Sequence, residues 1–148
     1  MIGGHDSVIV QTVVRLLLPW IRIFALYVLF HGHDSPGGGF QGGVIMAASY
    51  ILIGLALGRD ELDRSFPEES ALRWAVAGAL VFLLAGMLGL AGGGALLDYA
   101  AAPVPGLTRI DLRYFGVLVI EIGVFMTVTS ALTLIFARLA KTAEAEAP

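Results

Sequence analysis

The sequence predicts an all-α integral membrane protein with four transmembrane helices, and three observations carry that prediction. Hydrophobic residues make up 57% of the 148-residue chain and charged residues 14%, with a mean hydropathy of +0.85, a balance outside the soluble range. Four stretches, 8–30, 40–57, 72–91 and 114–136, approach the roughly 20 apolar residues that a helix needs to cross a bilayer core. The segments that join them hold most of the prolines and most of the charge. One transmembrane domain over residues 1–148 is expected.

The opening residues, MIGGHDSVIV, hold no Lys or Arg before the first apolar run. They lack the basic region of a cleaved signal peptide, so span one is expected to remain in the mature protein. Span one, 8–30, contains Pro19, which removes a backbone donor and is expected to kink the helix near its middle. Span two, 40–57, is the shortest and reaches full length only if its helix begins among Gly37 to Gly39. The next segment, GRDELDRSFPEESALRW, mixes both signs of charge with a proline and reads as a solvated loop. After span three, 72–91, the glycines and prolines of GGGALLDYAAAPVPGLTRIDLR predict an irregular or partly re-entrant connection whose Asp98 and Asp111 are solvated. Span four, 114–136, precedes the polar end KTAEAEAP, where 141–148 is expected to be a disordered tail.

With four spans, both termini share a side with the middle loop. That side carries Arg59, Arg64, Arg73, Arg138 and Lys141, and the other carries Arg109 and Arg113. The bias of Lys and Arg toward the cytoplasm then predicts a multi-pass cell-membrane protein with both termini cytoplasmic.

The absence of cysteine excludes disulfides, thiol catalysis and cysteine-ligated clusters. A net charge of −3 and no basic cluster leave nothing to hold a nucleic acid. No set of nucleophile, base and orienting group is visible, so the chain reads as a non-enzyme without catalytic residues or cofactor.

Three ionisable residues interrupt the apolar runs: Arg15 and Arg22 in span one and Glu121 in span four. A charge near the bilayer centre costs several kcal/mol and so faces a partner or water. Arg15 and Arg22 are two helical turns apart and share a face. Counted from the span ends at about 1.5 Å per residue, Arg22 and Glu121 fall roughly 12 and 10 Å deep on the same side of the membrane. The expectation is that they meet. Such a pair is either structural or a titrating carboxylate beside an ion path, and both readings stand at this level.

Between spans one and two lies HGHDSPGGGFQGG, residues 31–43. Gly37, Gly39 and Gly42 formally spell G-x-G-x-x-G, with Asp60 and Glu61 further on, yet a dinucleotide fingerprint needs a strand before it and membrane spans flank this one. His31, His33 and Asp34 suggest a metal site, but with no second cluster of ligands no metal is expected. A helix end and restart accounts better for the composition. Asp34 or Ser35 would cap the next helix, Pro36 would fit its first turn, and the glycines would let backbones approach closely. Gly38 and Gly42, Gly39 and Gly43, Gly54 and Gly58, and Gly89 and Gly93 all have the four-residue spacing of tight membrane helix packing.

The blocks GHDSPGGGFQGGVI at 32–45 and VIEIGVFMTV at 119–128 resemble the MnhB/MrpB family of subunits from the multisubunit Mrp (Mnh) sodium/proton antiporters, and length and span count extend the likeness over nearly the whole chain. The resemblance implies a non-catalytic membrane subunit of a large hetero-oligomer, whose partners are other membrane subunits of an antiporter complex. Sodium ions, protons and the lipid bilayer are the further partners it implies. Many members carry aspartate where this chain has Glu121. Mrp-derived subunits of membrane-bound hydrogenases and reductases share a similar glycine block, which leaves a second reading. A stand-alone four-helix transporter or scaffold is a third.

Overall fold

The computed structural model of the chain describes residues 7–32 and 37–145. Its regular elements are all helical: α1 (Val8–Phe30), α2 (Gly39–Ala56), α3 (Arg59–Ser65), α4 (Glu68–Ala91), a short 3-10 turn at Tyr99–Ala101, and α5 (Arg109–Ala145). Four of these, α1, α2, α4 and α5, are long and apolar enough to cross a membrane. The all-α class with four such helices therefore agrees with the sequence.

Each helix end has a local cause. Ser7 caps α1 by accepting the Val10 N–H at 3.4 Å, and the helix runs unbroken through Pro19 to Phe30. At α2 the N-cap is Gly38, in the left-handed region at φ +112° and with no side-chain cap. The cap is thus a glycine rather than Asp34 or Ser35, because only a glycine takes that φ without strain. The middle segment is not all loop. Its residues 59–65 form α3, on which Arg59 meets Asp63 at 3.5 Å and Arg64 meets Glu61 at 3.7 Å, the i,i+4 and i,i+3 pairs that hold a short helix. Leu62, 2% exposed, pins it to the core.

Helix α4 begins at Glu68, ahead of the apolar run, because Glu68 and Glu69 sit in the first turn where the helix dipole favours negative charge. Helix α5 outruns its expected span at both ends. At its start Thr108 and Asp111 form a reciprocal cap: the Thr108 N–H and hydroxyl donate to Asp111 Oδ2 at 3.1 and 2.7 Å, and the Asp111 N–H donates to Thr108 Oγ1 at 3.2 Å. At its end the expected tail from 141 is helical through Ala145, since Ala, Lys and Glu are strong helix formers. Residues 146–148 lie outside the described residues.

The helices stand in a row. Helix α1 lies on α2, α2 on α5, and α5 on α4, while α1 only brushes α5. Small residues set the central seams. Gly78 of α4 faces Gly123 of α5 so closely that a Cβ on either would overlap the other's backbone. At the end of the row bearing α3, Val14, Leu18, Ile53, Ala56, Leu62 and Ala137 form an apolar core. Beside it Glu68 accepts from Arg59 at 3.0 Å and from Arg138 at 2.9 Å. Arg59 also donates to the Ala137 carbonyl at 3.2 Å, so one carboxylate ties α3, α4 and α5 together. At the opposite end the connection after α4 doubles back, its Leu97 N–H donating to the Gly86 carbonyl at 2.9 Å.

Candidate functional site

Glycines bring the α1–α2 join onto α5. The Gly38 N–H donates to the Val28 carbonyl at 3.0 Å, which folds the join back against the last turn of α1. Gly39 then rests directly on the backbone of Glu121, where any side chain would overlap the Glu121 carbonyl. The carboxylate itself lies over the join: a Cβ on Gly38 would stand 3.0 Å from Glu121 Oε1, and one on Gly32 would stand 2.8 Å from it. The positive end of the α2 dipole is therefore beside this carboxylate.

The next turns continue the contact. Gly42 faces Ala25 and Leu29 of α1 as well as Phe125 of α5, Gly43 faces Phe125 and Val128, and Thr129 donates to the Gly43 carbonyl at 3.2 Å. The described residues of the two blocks, Gly32 and 37–45 in the first and 119–128 in the second, thus meet along one seam. Gly37 lies against the Val28 carbonyl. His31, the C-cap of α1, turns its Nδ1 to the Tyr27 carbonyl at 3.0 Å and stacks on the Tyr27 ring. His33, Asp34 and Pro36 lie outside the described residues. Gly58 and Gly93 do no packing; each is a turn with positive φ and open space where a Cβ would be.

The join is deep. Two residues beyond Glu121, Gly123 meets Gly78 and Phe82 near the midpoint of α4. From there α4 and α5 continue roughly 14 and 18 Å past the point where α1 and α2 turn, at about 1.5 Å per residue. A cavity of about 210 Å³ follows one face of α5 down this overhang, lined by Arg113, Tyr114, Val117, Leu118 and Glu121.

Arg22 does not join Glu121. Its Nε donates to Ser49 Oγ at 3.3 Å, and its guanidinium lies 4.6 Å from the centre of the Tyr50 ring, a favourable cation–π arrangement. Ser49 is ten residues along α2 from the Gly39 that meets Glu121, a separation of roughly 15 Å. The two lie at different depths because Glu121 is level with the join, whereas Arg22 is roughly 12 Å back along α1 from it. Helix α5 starts at Arg109, and the join lies beside the middle of α4. Arg15 is exposed on α1 and meets no carboxylate among the described residues.

Sequence reasoning missed the hydroxyls in the seams. Ser49, Thr129, Ser130 and Thr133 are buried, and their signal was present as Ser and Thr inside apolar runs. Among the described residues no group of three or more His, Cys, Asp or Glu could hold a metal.

Residues 9–134 match the family model described as a domain related to the MnhB subunit of Na+/H+ antiporter. Among curated proteins, the chain is similar to one named as antiporter subunit mnhB2 in Staphylococcus haemolyticus, 31% identical over 136 residues that cover 87% of this chain and 96% of the relative. The protein of the same name in Staphylococcus aureus strain Newman is likewise 31% identical over 136 residues, with the same coverage of both chains.

Proposed function

Because the chain belongs to the family of domains related to the MnhB subunit of Na+/H+ antiporters, we propose that it is a non-catalytic membrane subunit of a multisubunit Na+/H+ antiporter in which Glu121 serves the sodium or proton path. The observation that carries the role of Glu121 is its place. An acidic side chain deep in the row rests on a backbone turn made of glycine, and the cavity along α5 leads to it from the end bearing Arg113. Carboxylates at such depth mark ion and proton routes. Sodium ions and protons are the species that pass.

The charges of α1 support a subunit over a stand-alone transporter, since Arg15 and Arg22 lie inside an apolar span and meet no carboxylate among the described residues. The relatives' names favour an antiporter over a hydrogenase or reductase. The end where Arg59, Arg64, Arg73 and Arg138 gather is the cytoplasmic one on the charge bias, which places both termini there.

The test is Glu121→Gln within the complete complex. Assembly should persist while sodium-dependent proton flux is lost, and Glu121→Asp should retain flux. Loss of assembly with Gln would make the residue structural. Unchanged assembly and flux would remove it from both roles.

A further inference from the structure

The arginines of the α3 end find carboxylates within the chain: Arg59 with Glu68, Arg64 with Glu61, Arg73 with Glu69, and Arg138 with Glu68. The two arginines of α1 do not. Arg22 has its Nε on Ser49, and its Nη2 is covered by the chain itself with no acceptor among the described residues. The residue as a whole is only half-buried, so its guanidinium remains open to a partner on the exposed side. Arg15, seven residues earlier on the same flank, is exposed and equally without a carboxylate among the described residues. Pro19 also lacks the N–H that would otherwise bond the Arg15 carbonyl, leaving an acceptor on this flank.

Helix α1 is the end of the row. Its neighbour α2 covers Val14, Leu18, Ala25 and Leu29, and the arginine flank lies to one side of that stripe. Tyr50, under the Arg22 guanidinium, also lines a cavity of about 330 Å³ whose wall includes Ser130. Ser130 is fully buried, and its hydroxyl too lacks a partner among the described residues. Two cationic groups thus interrupt an otherwise apolar flank of α1 at membrane depth.

We infer that this flank of α1 docks an apolar transmembrane helix of another subunit, and that the docking helix carries an aspartate or glutamate for Arg22. The inference rests on the subunit reading above and names one of its interfaces. Charge complementarity selects the occupant: a guanidinium in a low-dielectric site keeps its charge and takes a carboxylate. Lipid phosphate fits less well, because Arg22 lies 14 residues along α1, roughly 21 Å from its start. A second copy of this chain offers Glu121 as its only carboxylate inside an apolar run, and that group is already laid against its own glycine join.

Leu26 is one helical turn beyond Arg22 on the same flank and is 41% exposed, so a photoreactive p-benzoyl-phenylalanine there reports the neighbour while leaving the arginines intact. Irradiation of the complete complex, followed by peptide mapping, should give one protein adduct in an apolar segment containing Asp or Glu. Exchanging charges, Arg22→Glu with that acid changed to Arg, should restore the co-purification that Arg22→Glu alone abolishes. An adduct segment without an acidic residue, or lipid adducts alone from a complex that still holds its other subunits, would overturn this interface and leave the subunit assignment standing. A chain that emerges alone from gentle extraction would overturn the subunit assignment itself.

Discussion

A methyl group at residue 39 would enter the space of the Glu121 carbonyl, whereas one at residue 58 would meet nothing within 4 Å and suffer only its φ of +96°. Overpacking of that kind costs about 1–3 kcal/mol, with relief only if the helices part. Gly39→Ala should therefore deplete the assembled complex on native gels by parting α2 from α5, whereas Gly58→Ala should strain only the turn before α3 and leave the α2–α5 seam closed. The separation of Arg22 from Glu121 makes a second residue-scale prediction. Sites more than about 7–10 Å apart with no shared partner act additively, so the double variant Arg22→Gln, Glu121→Gln should assemble as poorly as Arg22→Gln alone and lose flux as Glu121→Gln alone does. Mutual rescue on native gels would restore the ion pair as an explanation. The sequence exposed both residues as anomalies, because a charge in an apolar run is visible without a structure. It could not pair them, since partner choice depends on how far α5 rises past a join whose depth is a tertiary property.

Helix ends follow the same division between local and tertiary causes. The reciprocal cap of Thr108 and Asp111 is a local signal, a threonine three residues before an acid, and it explains why α5 starts at Arg109 and not at the apolar run. Thr108→Ala should cost about 0.5–2 kcal/mol and speed amide exchange in the first turn of α5 while the turns near Glu121 stay protected. Helix α3 was hidden for another reason. Its charges read as a loop, and what fixes it is Leu62 buried under α2 together with Arg59 bound to Glu68 and the Ala137 carbonyl. Since Glu68 serves both Arg59 and Arg138 and its side chain is 25% exposed, Glu68→Gln should lower stability in detergent by about 1 kcal/mol, at the upper end of values for exposed pairs. A thermal scan measures it; an unchanged midpoint would show that the cluster merely decorates the surface.

Across the whole molecule, four apolar helices arranged α1, α2, α5, α4 leave both ends of the row and much of each face without a protein neighbour. The four spans were legible because apolar length alone decides them, and the seam between the glycine block and the Glu121 block was legible as two motifs but not as one contact. The row was not legible, for it depends on which small residues meet: Gly39 with Glu121, Gly43 with Val128, Gly78 with Gly123. A row of this kind, with one deep carboxylate among its described residues and no lysine in the apolar runs 8–30, 40–57, 72–91 and 114–136, offers no relay among them. Expressed by itself in cells lacking sodium/proton antiporters, the chain should give vesicles with no sodium-dependent proton flux. The most direct measurement of its place in a larger assembly is gentle detergent extraction from its native membrane, followed by mass identification of the chains that leave with it. Na+/H+ antiporter subunits in fixed proportion to this chain are the expected result; hydrogenase or reductase subunits in their place, or the chain on its own, would contradict it.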